Sequence, residues 1–445
     1  MRIAVIGTGY VGLVSGVCMA EMGHDVVCVD VDPTKIEMIR SGKPPIHERD
    51  LPGLLEKHVG TRLHATTDLV DAVASSEISL IAVGTPFADG AIDLSAVRTV
   101  AEQIGAALRH RSEYHVVVVK STVVPGTTEN VVLPILEAAS GKTAGIDFGV
   151  GMNPEFLTEG EAVGDFLHPD RIVLGGLDDR SLDIMASAYE SFSGVPVIRA
   201  NPRTAEMIKY ASNTLLATMI SLSNEFANLA AALGDVDIPA VMAGVHLSRY
   251  LTTQVGDGQQ TTAPLASFLY PGCGYGGSCL PKDTKALISQ GAELGSPMRV
   301  LEAVDQVNVE QPTKMLDILR RHFPQLSGLR VTILGLSFRP GTDDMRESPA
   351  FPIIRELEHS GAEVGAYDPI VTTTDGQALA GTGVKCYANL VEAIRNSDAL
   401  LLVTQWEEFD GVPDIISQMT EPPLLVDGRR MIALDRVPRY DGIGV

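Results

Sequence analysis

The chain opens on a short apolar run, Met1–Ile6, that passes directly into glycines. A stretch of small and apolar residues follows, and then D-V-V-C-V closing at Asp30. Unbroken apolar runs of this length, bounded by turn residues, predict strands buried on both faces. The same grammar returns near the other end. There Val331–Leu334 predicts a strand, Glu347–His359 a helix, and Glu363–Tyr367 a strand ending at Asp368. A second correspondence joins the two ends: L-V-D-A-V-A-S-S-E-I-S-L-I-A-V (Leu69–Val83) matches L-V-E-A-I-R-N-S-D-A-L-L-L-V (Leu390–Val403) in pattern and partly in identity. Strand and helix in alternation predict an α/β protein with two doubly wound, parallel-sheet domains.

Pro202–Leu233 carries good helix formers with no internal proline or glycine. Pro202 suits a first helical turn and Gly234 a stop. About 30 residues at 1.5 Å rise give a helix of roughly 45–50 Å, long enough to join two domains. Its apolar and small residues predict a core strut that also carries a homodimer interface.

With 445 residues, 45% of them hydrophobic, the chain has room for two or three domains and too much apolar content for disorder. The predicted division is 1–200, 201–312 with the long helix, and 313–445. Five cysteines over this length exclude a disulfide framework. Runs such as Val116–Val119 and Ala399–Val403 fall far short of the ~20 residues that span a bilayer. The first strand begins at the first residue with no signal peptide, which predicts a cytoplasmic protein. A formal charge of −22 argues against nucleic acid or an anionic membrane as partner. A phosphate ligand must therefore be held by helix ends and a few local cations.

Gly7, Gly9 and Gly12 form G-x-G-x-x-G, written G-T-G-Y-V-G with Tyr10 and Val11, directly after a strand and opening a helix. This is the context in which the pattern marks a Rossmann-like dinucleotide site. The helix N-terminus receives the pyrophosphate, and Asp30, ending the second strand, can accept from the ribose hydroxyls. The run V-D-V-D-P-T-K has no arginine for a 2′-phosphate, so NAD is favoured over NADP. Val83-Gly84-Thr85-Pro86 and Lys120-Ser121-Thr122 both follow apolar strands and belong at the carboxyl edge of the sheet, where ligands bind.

Tyr270–Asp283 reads Y-P-G-C-G-Y-G-G-S-C-L-P-K-D. Pro281 in a first helical turn puts Cys279 at the start of a helix running to about Gly291, where the helix end and a cation such as Lys282 favour a thiolate. Cys279 is the candidate nucleophile. Cys18, Cys28 and Cys386 are packing residues, and Cys273 lacks the helix-start context. No histidine or second cysteine pair has ligand spacing, so no metal site is expected. Lys209 and Asn213 lie one turn apart on the long helix, a pairing that can hold an oxyanion or form ordinary helix surface. Glu155 and Glu159 in N-P-E-F-L-T-E-G are open to the same two readings, site acids or a solvated loop.

Together these segments resemble the UDP-glucose/GDP-mannose dehydrogenase family. G-T-G-Y-V-G, V-G-T-P, K-S-T-V, N-P-E-F-L-T-E-G, A-E-M-I-K-Y-A-S-N, G-Y-G-G-S-C-L-P-K-D and L-G-L-S-F-R-P-G-T-D-D-M-R-E-S-P occur in the family's order over essentially the whole chain. The resemblance implies two successive hydride transfers from a nucleotide sugar's primary alcohol to NAD, giving a carboxylate. Cys279 would trap the aldehyde as a thiohemiacetal that becomes a thioester. Glu155 would be the base for hydrolysis, Thr122 and Asp283 would position water, and Lys209 and Asn213 would stabilise oxyanions. NAD contacts carried over this way are Asp30, Lys35, Thr85, Thr122, Glu159, Lys282 and Arg346. Substrate contacts are Glu155, Phe156, Leu157, Glu159, Lys209, Asn213, Arg249, the loop with Phe268, Leu269, Tyr270 and Gly272, then Gly276, Cys279, Phe338 and Arg339. The resemblance also puts NAD on the first domain, the nucleotide of the sugar on the last, and the sugar in a cleft between them.

Three departures stand out. Arg339 replaces the family's usual lysine, P-I-H-E-R-D-L (Pro45–Leu51) replaces P-I-x-E-P-G-L, and a polar insertion at 252–262 precedes Phe268. Ala263 stands near where UDP-glucose enzymes carry an arginine, for which Arg249 is the candidate replacement. Motif resemblance favours UDP-glucose, oxidised to UDP-glucuronate, with GDP-mannose second. A one-step β-hydroxyacid dehydrogenase shares the first domain and the helical Lys–Asn pair, but needs neither Cys279 nor the second Rossmann-like repeat. A non-catalytic nucleotide-sugar sensor is the remaining alternative.

Overall fold

Side chains along Arg2–Ile6 (β1) leave their sheet alternately on two faces, Ile3 and Val5 entering one apolar cluster and Ala4 and Ile6 another. Val116–Val119 divides the same way, Val116 and Val118 against Val117 and Val119. A strand covered on both faces is apolar at every position, hence the absence of polar alternation. The computed structural model describes residues 1–255, 259–371, 379 and 382–445, and separates into Met1–Ser212 and Asn213–Val445.

The first unit holds an eight-stranded sheet. Its further strands are Asp25–Val29 (β2), Leu63–Thr66 (β3), Ile78–Ile81 (β4), Val116–Val119 (β5), Gly149–Met152 (β6), Ile172–Gly176 (β7) and Val197–Ala200 (β8), in the order β8-β7-β6-β5-β4-β1-β2-β3. The expected parallel sheet runs through β1–β6, while at one edge β6 and β7 pair antiparallel and β8 follows the direction of β7. After Met152 the chain does not cross a face of the sheet but re-enters at the edge it left. That return keeps N-P-E-F-L-T-E-G at the carboxyl edge, beside the turns that follow β1, β4 and β5.

In the second unit Thr252–Val255 (β9) and Gln259–Thr262 (β10) form an antiparallel hairpin. The polar insertion is therefore a hairpin, apart from 256–258, which lie outside the described residues. Arg330–Leu334 (β11), Glu363–Tyr367 (β12), Lys385–Cys386 (β13), Ala399–Leu402 (β14), Leu424–Asp427 (β15) and Tyr440–Gly442 (β16) make a parallel sheet ordered β13-β12-β11-β14-β15-β16. Its two faces bury Ile333, Leu401 and Val426 on one side and Leu334, Leu400 and Leu425 on the other.

Tyr10–Glu21 (α1) follows the glycine turn, and Pro202–Leu233 (α2) has the predicted bounds, with Gly234 at φ +70° ending it. Leu280–Glu293 (α3) and Arg299–His322 (α4) follow in the second unit. The helix predicted from Glu347 begins later, as Ala350–His359 (α5). Pro349 bars the helical conformation to Ser348, and Glu347 sits in the left-handed region at φ +53°. Among the described residues no helix is long and apolar enough to cross a membrane.

Candidate active site

The turn after β1 depends on its glycines. Gly7 has φ +101°, and a Cβ there would lie 2.6 Å from the Ala82 carbonyl oxygen, while one on Gly12 would overlap the Gly7 carbonyl. A Cβ on Gly9 would meet nothing within 4 Å, and Gly9 caps α1 with no side chain of its own. That helix N-terminus, approachable over Gly9, fits the pyrophosphate of a dinucleotide. Asp30 stands beside it. Its Oδ2 accepts the Thr8 N–H at 2.8 Å and the Thr8 hydroxyl at 2.6 Å, and Oδ1 accepts the Asp32 N–H at 3.0 Å. Burial alone would raise this carboxyl, but the Thr8 and Asp32 bonds and the charge of Lys35 hold it below the usual range. One acceptor position remains on Oδ1. The neighbouring loops are tied to one another, the Thr85 hydroxyl donating to the Thr122 carbonyl and the Ser121 hydroxyl to that of Val83, each at 2.7 Å.

Further along the carboxyl edge of the same unit, Lys209 of α2 meets Glu155 at 2.9 Å, with both side chains 4% exposed. The solvated-loop reading of Glu155 is thus excluded. The Leu157 N–H donates to the other carboxylate oxygen at 2.7 Å. Burial would raise Glu155, yet Lys209, the Leu157 N–H and the charge of Lys120 together bring it below the ordinary carboxylate value. The Phe156 ring lies 3.9 Å under the Arg171 guanidinium and 5.6 Å from the Lys209 ammonium. Glu48, from the divergent P-I-H-E-R-D-L segment, accepts the N–H groups of Gly160 and Ala162 and anchors the turn next to half-buried Glu159. Asp50 replaces the family's glycine there and keeps a left-handed φ of 63°, a conformation aspartate tolerates better than most residues.

In the second unit the cysteine loop is bonded at almost every step. Gly272 donates to Asn224 of α2 and accepts from Gln311 of α4. Cys273 N–H donates to the Gly428 carbonyl, Arg429 donates to the Gly274 carbonyl, and Tyr275 exchanges two hydrogen bonds with Asn308. Gly277, at φ +85°, passes the Phe338 ring so closely that a Cβ would lie 2.7 Å from it, and a Cβ on Gly276 would strike the Glu347 carbonyl. The loop delivers Cys279 to the N-cap of α3, half-buried, with the Ser278 hydroxyl 3.6 Å from its sulfur. A helix N-terminus stabilises a thiolate. By contrast, burial pushes Cys18 and Cys28 up to about 12 and raises Cys273 and Cys386. One turn into α3, wholly buried Asp283 takes Lys282 on one oxygen and Asn213 on the other, each at 2.6 Å.

Three family models account for most of the chain. The NAD binding domain of the UDP-glucose/GDP-mannose dehydrogenase family matches residues 1–193, its central domain 203–310 and its UDP binding domain 332–434. The chain belongs to the UDP-glucose/GDP-mannose dehydrogenase family. A UDP-glucose 6-dehydrogenase of Haloferax volcanii is 42% identical over 437 residues, 97% of each chain. A GDP-mannose 6-dehydrogenase of Pseudomonas aeruginosa is 42% identical over 376 residues, 83% of this chain and 81% of that one. The solved UDP-glucose dehydrogenase of the archaeon Pyrobaculum islandicum superposes with a TM-score of 0.90 at 36% identity, covering 100% of this chain and 97% of the other.

Family membership makes this an NAD-dependent oxidoreductase, and the N-terminus of α1 with Asp30 beside it suits that cofactor. The structure joins Glu155 with Lys209 and Asn213 with Asp283, and brings Phe338 onto the cysteine loop. Arg346 is held in a fork by Asp344. Arg249 is exposed, 5.6 Å from the Tyr250 ring. Lys120 was placed at the carboxyl edge beforehand but given no role, and Asn153, Glu48 and Arg429 were assigned none either. A lysine ending a run of four buried valines was a readable sign for the first of these. The others act through partners remote in sequence.

Proposed function

We propose that the chain oxidises UDP-glucose to UDP-glucuronate with two NAD per turnover. The observation that carries this reading is Cys279 at the N-cap of α3, the cysteine whose setting favours a thiolate. The similarity to UDP-glucose 6-dehydrogenases over nearly the full chain supports the substrate. The glycine turn, Asp30, Lys35, Thr85, Thr122, Glu159, Lys282 and Arg346 would hold NAD. Residues 155–159, Lys209, Asn213, Arg249, 268–272, Gly276, Phe338 and Arg339 would hold the sugar nucleotide. Domains 1–200, 201–312 and 313–445 divide these tasks, and the exposed apolar row on α2 forms a homodimer.

NAD, when bound, accepts the hydride in each of two oxidations. The chain's own residues do the rest. The first oxidation removes hydride and proton from the alcohol carbon to leave an aldehyde. The Cys279 thiolate adds to that carbon, and Lys209 and Asn213 stabilise the resulting alkoxide. Loss of a second hydride from that alkoxide gives the thioester. Glu155 takes a proton from water as it attacks, and the carbonyl–sulfur bond breaks to return the thiolate and release the acid, which gives up its remaining proton to become carboxylate. Alcohol, water and two NAD thus become carboxylate, two NADH and three protons. The Glu155 carboxylate is ionised for this work, but its low proton affinity makes it a weak base until Lys209 is drawn toward the oxyanion.

The test is a turnover screen with UDP-glucose, GDP-mannose and UDP-N-acetylhexosamines, counting NADH per sugar consumed. Close to two from UDP-glucose is expected, and Cys279→Ser should lower carboxylate output by about a thousandfold or more while leaving substrate binding nearly unchanged. One NADH per sugar would favour the one-step dehydrogenase, and turnover of GDP-mannose alone would reassign the substrate. Binding without any NADH would indicate a sensor.

A further inference from the structure

Lys120 directly follows β5, almost wholly removed from solvent, 3% exposed. Its ammonium donates to Asn153 Oδ1 at 3.0 Å. That amide is itself pinned, its nitrogen donating to the Val173 carbonyl at 2.9 Å and its oxygen also accepting the Tyr189 hydroxyl at 2.5 Å. The Phe166 ring covers another side, 5.8 Å from the ammonium. Lys120 is therefore fixed by a neutral group. Among the described residues the charges acting on it are Glu155, which stabilises its cation, and Lys209, which opposes it. The remaining titratable group facing it is the Tyr189 phenol, which burial keeps protonated.

Two buried cations thus address one buried carboxylate, and they are not equivalent. Lys209 is in contact with Glu155 and, on the function proposed above, must turn to the substrate oxygen. A carboxylate that loses its only cation in a dry pocket takes up a proton. Lys120 cannot leave, because Asn153 and the strand end hold it. We propose that Lys120 is the standing counter-ion of Glu155, a positioning residue that keeps this carboxylate ionised while Lys209 is engaged by substrate. The charge of Lys120 already contributes to holding Glu155 down. Burial draws the lysine itself to about 8, so its charge is present at neutral pH and fades above that value.

The inference rests on the function proposed above, and its test separates the two. Activity is measured against pH with UDP-glucose and NAD for wild type, Lys120→Met and Lys120→Arg. Lys120→Met should move the acid limb of kcat upward by about one pH unit, whereas Lys120→Arg, even with reduced kcat, leaves the limb in place. An unmoved limb in Lys120→Met, or equal loss in both variants at every pH, overturns the counter-ion role without touching the overall reaction. Wild type that makes no NADH from any nucleotide sugar overturns the reaction instead. A second measurement needs neither turnover nor a folded Lys120 variant. In Lys209→Met, infrared difference spectra against Lys209→Met/Glu155→Gln should show no protonated carboxylic-acid band for Glu155 at about pH 6. Appearance of that band overturns the proposal.

Discussion

Asp30 uses three of its acceptor positions inside the protein, two for Thr8 and one for Asp32. Its side chain therefore shapes the glycine turn as well as offering Oδ1 to a ribose hydroxyl. Asp30→Ala should raise the KM for NAD by about tenfold or more, the worth of one charged hydrogen bond, and an unchanged KM would remove Asp30 from the cofactor site. Lys120 gives a prediction in stability. Its folded value of about 8 lies below the ordinary 10.5, so between these the unfolded chain binds the extra proton and stability rises with pH. Below about pH 8 the buried charge opposes folding in full. Lys120→Met should accordingly gain stability relative to wild type at neutral pH, by on the order of 3 kcal/mol, and lose that advantage as pH approaches 10.5. Denaturant melts at several pH values check this, and a constant difference would contradict it. Such residues were only half legible beforehand. Asp30 was marked by its place after a strand, but its Thr8 bonds and the Lys120–Asn153 contact are properties of packing that one sequence does not carry.

At the scale of elements, the strongest dependence lies in the loop from Gly272 to Cys279. Its N–H and carbonyl groups find partners on α2, on α4 and on the segment after β15, so the thiol is presented by a rigid support. Gly277→Ala would place a methyl against the Phe338 ring in a backbone conformation that disfavours any Cβ. The expected loss is about 2–3 kcal/mol of stability, with kcat falling while NAD affinity is kept. Retention of full kcat would mean that the loop does not need its closeness to Phe338. Helix bounds were well announced in the sequence: α2 runs from Pro202 to Leu233 because proline and glycine punctuate it. Strand direction was not, since buried strands read alike both ways and only the path from Met152 to Ile172 decides that β7 runs backwards. The start of α5 was misjudged for a local reason, Pro349 acting on Ser348.

The whole molecule bears a charge of −22 and also a long apolar row. Along α2, Leu215, Leu222, Phe226, Leu229 and Leu233 are 51, 43, 48, 56 and 68% exposed. Their spacings of seven, four, three and four residues keep them on one face of the helix. Contiguous exposed apolar surface of this kind marks an interface, and in the homodimer proposed above a second copy of the same helix would cover it. Two chains of like charge repel, so the apolar contact must exceed that repulsion. Salt then has a definite sign: screening weakens the repulsion and leaves apolar burial intact, so the dimer tightens as salt rises. An interface held by ion pairs would loosen instead. Light scattering should give twice the 47.3 kDa chain mass at micromolar protein, and Leu222→Asp with Phe226→Asp should give the single chain. A wild type that scatters as one chain at both low and high salt would leave the row without its proposed partner.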